Sequence, residues 1–92
     1  FTETTLVGQL HQTLINIGEV LDASGATFTD IARLTWFITD RSEYISNLKE
    51  IGVAYREVMG KHFPAMSVVE VKSLMEAEAK IEIEATAVIS RA

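Results

Sequence analysis

The chain has 92 residues and a formal net charge of −5, with 8 basic residues against 13 acidic ones, 48% apolar residues, one proline and no cysteine. At this length it forms one domain, expected over residues 1–92, that buries only about 60% of its unfolded surface, so subunit contacts are expected to supplement a modest core. The composition excludes a disordered chain, a disulfide frame or thiolate chemistry, a phosphate-tracking basic surface and, for want of a run of about 18 apolar residues, a membrane span.

No charged-then-apolar signal opens the chain, which together with the missing cysteines fits a reducing, cytoplasmic setting. It begins at Phe1 with no initiator Met, so it reads as part of a longer protein.

Between Thr4 and Ser24 apolar residues fall at Leu6, Leu10, Leu14, Ile17 and Leu21, one helical face. Thr4 or Thr5 suits the N-cap, and Gly25 suits the left-handed residue that closes a helix. Gly8 and Gly18 inside it each cost about 1 kcal/mol relative to Ala, so either another group approaches the backbone closely there or the helix tolerates the loss.

Arg33 to Thr39 is β-branched and aromatic and reads as a strand, with Leu34, Trp36 and Ile38 on one face and Thr35, Phe37 and Thr39 on the other. Asp40 with Glu43 three residues on resembles a capping box. It opens a second helix carrying Tyr44, Ile45, Leu48, Ile51, Tyr55, Val58 and Met59, which Gly60 ends and Pro64 keeps from resuming.

The runs Pro64–Val71 and Lys80–Ile89 read as strands joined by the loop Lys72–Glu78, and we expect them to be neighbours at the heart of a sheet. The helix between the strands at 33–39 and 65–71 makes that pair parallel with a right-handed crossover. The order helix, strand, helix, strand, strand gives an α+β fold, helices on one face of a mixed sheet.

Several of these stretches resemble the YjgF/RidA (reactive intermediate deaminase, endoribonuclease L-PSP-like) family. They are QLHQTLINI (Gln9 to Ile17), LTWFITD (Leu34 to Asp40), and above all PAMSVVEV and KIEIEATAV. The resemblance covers nearly the whole chain. It implies a chorismate-mutase-like domain, a homotrimer with ligand clefts between subunits, and strands ahead of the first helix that this chain lacks, along with any cleft residues on them.

The resemblance also implies a chemistry: hydrolysis of enamines and imines to a ketoacid and ammonia. An arginine of a Pro-Ala-Arg-Ser motif clamps the substrate carboxylate in a bidentate pair, and a glutamate on the last strand orients water. Carried onto this chain, the glutamate falls on Glu82, the motif serine on Ser67 and the arginine on Met66. Val68 stands where many members have Cys, and Gly52 where some have Asn. The chain thus resembles the arginine-lacking branch, and loss of the charge-assisted contact removes about 1.5 to 3 kcal/mol of carboxylate binding. Arg33, Arg56 and Lys72 are the candidate replacement cations, and the residues alone do not select among them.

Each site residue also has a plainer reading: Met66 as core, Glu82 as a solvated strand face, Trp36 as packing. His11 and His62 have no companions at ligand spacing, so no metal and no cofactor is expected. Three functions follow. One is a retuned small-molecule cleft in which Glu82 acts on a less charged enamine, imine, amide or ring substrate. The second is a non-catalytic trimer that binds a metabolite or a protein. The third, an endoribonuclease, is disfavoured by the acidic balance, so no nucleic-acid and no membrane partner is expected.

Overall fold

The computed structural model describes residues 3–89; Phe1, Thr2 and residues 90–92 of the expected single domain lie outside the described residues. The first helix, α1, spans Leu6–Ala23. Its start is fixed by Thr5, whose Oγ1 accepts from the Gly8 N–H at 3.0 Å. Its end is fixed by Gly25 at φ +78. There the Ala26 N–H donates to Leu21 O and the Gly25 N–H to Asp22 O, the paired bonds of a Schellman motif. Leu21 and Ala26, both buried, make its hydrophobic contact. At Gly18 a Cβ would stand 2.6 Å from the Phe28 ring, so the glycine admits a neighbour that alanine would displace.

A single 3-10 turn, Phe28–Asp30, leads into strand β1, Ile31–Ile38. Leu34, Trp36 and Ile38 are buried on one face, as the alternation predicts. The strand starts two residues earlier than the β-branched run suggests, because Ile31 is itself buried and its carbonyl meets His62 Nε2 at 2.8 Å.

The second helix is interrupted. It forms α2, Arg41–Ser46, and α3, Leu48–Met59, with Asn47 between them. The Asn47 side chain donates to Glu43 O at 2.8 Å, and its N–H turns to Tyr44 O in a tightened bond, so the short amide competes with the helical ladder and bends it. Asp40 caps α2 through the Glu43 N–H. The reciprocal half of the expected box is absent, because the Glu43 carboxylate is held by Lys80 Nζ at 3.0 and 3.1 Å. Glu70 adds a second cap, accepting from the Arg41 N–H at 2.7 Å.

Strands β2, Ala65–Glu70, and β3, Ile81–Ala87, complete a three-stranded sheet of order β2-β1-β3. β1 and β2 are parallel, as the intervening helix requires. β2 and β3 are not neighbours, contrary to the expectation from their sequences. β3 pairs antiparallel with β1 on its other side. Two causes place β1 in the middle: it carries the most completely buried face, and the long connection 71–80 lets the chain cross over it instead of closing a hairpin. The helices lie on one face of this mixed α+β sheet, with α1 against α3 and β3.

Gln9 ties the layers together. It is the one buried polar side chain among the described residues, 1% exposed. Its Nε2 donates to Glu3 O and Glu78 O, and its Oε1 accepts from the Lys80 N–H at 2.7 Å. The last bond stops β3 at Ile81 where the sequence suggests Lys80, since the Lys80 N–H is spent on α1.

Gln9→Leu would keep the volume and strand these groups, at about 1 to 3 kcal/mol for each one left buried and unpaired. Urea denaturation should show a loss of at least about 2 kcal/mol for Gln9→Leu, against about 0.5 kcal/mol or less for the outward Gln12→Ala.

Candidate active-site cleft

β2 is an edge strand, and its side chains alternate. Met66 pairs with Leu34 and Val68 with Trp36, so both point to the helix side; Ser67 pairs with Thr35 and points to the other. Because no described strand flanks β2 on its outer side, Met66 is left 43% exposed. On α3 the spacing of Gly52, Tyr55 and Arg56 brings all three to one side, above the β2 edge. Between helix and strand lies a cleft of about 320 Å³ whose lining includes Met66, Gly52, Arg56, Tyr44, Tyr55 and Phe63.

The walls are aromatic. Tyr55 stacks on Phe63 at 5.5 Å and 17°, Trp36 packs beside Tyr55 at 6.0 Å, and Trp36 meets Tyr44 edge-on at 6.5 Å. Trp36 forms the floor at 1% exposure, its Nε1 buried without a hydrogen-bond partner. The Tyr55 hydroxyl donates to His62 O at 2.7 Å, anchoring the turn that leads to Pro64 and Met66.

Among the described residues no carboxylate lines the cleft, and the one charged group that does is Arg56. The guanidinium is folded back over Gly52, with Nη1 3.4 Å and Nη2 3.9 Å from where a Cβ would stand. Burial raises the phenol pKa of both Tyr44 and Tyr55 above the ordinary 10.0. Among the described residues no group of three or more His, Asp or Glu is placed to hold a metal ion. His62 is engaged with Ile31 O, and His11 lies 3.4 Å from Glu57 in a different surface hollow.

Of the residues suggested by the sequence, the fold brings Met66 and Gly52 into one cleft. Val68 turns inward and packs against the core. Ser67 and Glu82 are on the sheet face away from the helices, Glu82 paired with Phe37, which pairs with Val69. Glu82 is on β3 and Met66 on β2, with β1 between them, so within one chain they occupy opposite edges and opposite faces, strands roughly 10 Å apart. Glu82 lines a separate hollow of about 270 Å³ with Thr13 and Asn16. Of the three candidate cations only Arg56 reaches the cleft. Arg33 pairs with Ala65 on the open face, and Lys72 lies beyond the end of β2. The signal in the sequence is the four-residue spacing of a glycine and an arginine on the helix that crosses Met66.

The model of the endoribonuclease L-PSP family matches residues 1–89. The chain belongs to this family, also called YjgF/RidA. The Rid domain is 32% identical over 83 residues to a 2-iminobutanoate/2-iminopropanoate deaminase of Capra hircus, covering 90% of this chain and 57% of the relative. It is 34% identical over 83 residues to a RutC family protein of Haemophilus influenzae, covering 90% and 63%. Among solved structures it matches a Rid-family protein of unknown function, YyfB of Yersinia pestis, with TM-score 0.82 and 36% identity over 94% of this chain and 64% of the other. Escherichia coli TdcF with bound serine matches with TM-score 0.80 and 31% identity, covering 96% and 68%. The Rid domain thus has the chorismate-mutase-like fold of the YjgF/UK114 proteins, and it spans less than two thirds of the length of curated relatives such as these.

The raised tyrosine values give a pH prediction. Each folded pKa lies above the unfolded one, so the contribution to stability is complete below about pH 10 and is lost as the pH rises through the folded values. The midpoint of phenolate absorbance should therefore lie above pH 10, accompanied by weakening of the folded circular dichroism signal as the rings ionise. An ordinary midpoint at 10 in the intact fold would show that the two rings are solvated.

Proposed function

We propose that this Rid domain forms homotrimers whose intersubunit clefts bind a small metabolite, and that it hydrolyses an enamine, imine or related group there without the usual arginine clamp. The observation that carries the reading is the aromatic cleft at the β2 edge, which gathers Met66 and Gly52, the positions matching the family's ligand contacts. The relatives named as iminobutanoate/iminopropanoate deaminases and the serine-bound TdcF support a small-molecule site.

The split between Met66 and Glu82 supports a site shared by two copies. An edge strand β2 of one subunit next to the β3 edge of another would bring a cleft and a carboxylate together, which one chain cannot do alone. In that arrangement Glu82 orients a water and takes its proton as the oxygen adds to the imine carbon. Glu82 returns that proton to the nitrogen, giving the carbinolamine, and then carries the hydroxyl proton to the same nitrogen, so that collapse breaks the C–N bond, expels ammonia and leaves a carbonyl. An enamine reaches the same path after protonation at carbon.

A second reading, a non-catalytic trimer that binds a metabolite or protein partner, is favoured by the thioether of Met66, which cannot hold a carboxylate as a guanidinium does. Nucleic acid is not the partner we propose: at a net charge of −5 the chain would be repelled by phosphates. Among the described residues no helix is long and apolar enough to cross a membrane.

Single-turnover hydrolysis of 2-aminoacrylate-type and larger, apolar 2-imino acids by the full-length protein separates the two. The enzyme reading expects Glu82→Gln to lower turnover at least about 100-fold with ligand affinity kept, and Met66→Arg to raise turnover of the shortest substrates. Ligand binding with no hydrolysis, or hydrolysis indifferent to Glu82→Gln, would leave the binding reading standing and remove the catalytic one.

A further inference from the structure

Building on the reading of the α3–β2 cleft as a small-molecule site, we infer that Arg56 is its anion-binding residue, that Gly52 is the gap that lets the guanidinium lie there, and that the ligand is a carboxylate with an apolar or planar body. The sign of the cleft is the first argument. The chain as a whole is acidic, yet among the described residues the cleft holds a single charged side chain, a cation, and no Asp or Glu.

That cation is uncommitted. Among the described residues the ion pairs are His11 with Glu57 and Lys80 with Glu43, and the Arg56 guanidinium donates no side-chain hydrogen bond. Glu57, its neighbour in sequence, points to the hollow between α1 and α3. Arg56 is in the last turn of α3, where a basic side chain commonly serves the free carbonyls of the helix end. Here it reaches back one turn instead, over Gly52 and toward the cleft.

Gly52 makes that pose available. With Nη1 3.4 Å from the built Cβ, a methyl group would already touch the guanidinium, and an asparagine would fill the space it occupies. The rest of the cleft specifies the ligand's body. Phe63, 68% exposed, and Met66 offer apolar surface that solvent now covers, with Tyr44 and Tyr55 as flat walls. About 320 Å³ is at the small end of the range for small-molecule sites. A planar carboxylate matches the guanidinium fork bidentately, while a hydrocarbon or aromatic body matches the walls.

The chain's single tryptophan is the floor of this cleft, so its fluorescence reads occupancy directly. A panel of aliphatic and aryl carboxylates and their primary amides is titrated into the full-length protein, wild type beside Arg56→Gln, Arg56→Lys and Gly52→Asn, each confirmed as folded by circular dichroism. Expected are carboxylates that bind at least about tenfold tighter than the matching amides. Arg56→Gln should abolish that preference and leave amide affinity in place, Arg56→Lys should keep part of it, and Gly52→Asn should reduce it by displacing the guanidinium. A preference that survives Arg56→Gln, or equal binding of acid and amide by the wild type, would overturn the role of Arg56 while leaving the cleft as a binding site. No fluorescence response to any member of the panel would overturn the cleft reading and the proposal together.

Discussion

Burial of one face of β1 is the constraint on which the rest of the structure depends. Ile31, Leu34, Trp36 and Ile38 are all within 2% of complete burial. Each would cost about 2 to 5 kcal/mol if cut back to alanine, which is a large share of the stability of so small a domain. Covering that face requires both α1 and α3. Once they are in place, strand pairing decides which way each neighbouring residue points. Met66 faces the helices because Leu34 does, and Glu82 faces away because Phe37 does.

Two polar ties then set the ends of the strands. Gln9 reaches from α1 to the backbone on either side of Ala79, immediately before the strand that carries Glu82. His62 holds the first residue of β1 while its own carbonyl accepts from Tyr55, fixing the approach to Pro64 and Met66. Neither residue lines the cleft, yet both control where its chemistry-bearing neighbours stand. Their roles are positional: a buried amide with every partner satisfied, or a half-buried imidazole bonded to a backbone carbonyl, holds backbone in place more stiffly than apolar packing does.

Membership of the Rid family fixes the scaffold and leaves the chemistry open, since function resides in the site and not in the fold. At the cleft, aromatic walls surround Met66 and Gly52, while Val68 packs inward against the core. These residues are close in space. The strand contributes a thioether at Met66 and the helix a cation at Arg56, lying over Gly52 across the same cavity.

Much was legible in the residues themselves, wherever the deciding forces are local. The Thr5 cap, the Gly25 terminus, the alternation of Leu34, Trp36 and Ile38, and the parallel pairing across a helix all follow from short-range geometry. The family motifs pointed to Met66 and Gly52, which share a cleft, and to Glu82, which lies on the other face at the β3 edge. Sequence could not place β1 between the other strands, because two apolar runs joined by a long connection are compatible with either order. Nor could it foresee the break at Asn47, which a single amide-to-carbonyl bond decides. Above all, it offered three cations and no means of choosing: which of them shares a cavity with Met66 depends on how α3 lies across the β2 edge, and that is set by packing against residues distant in the chain.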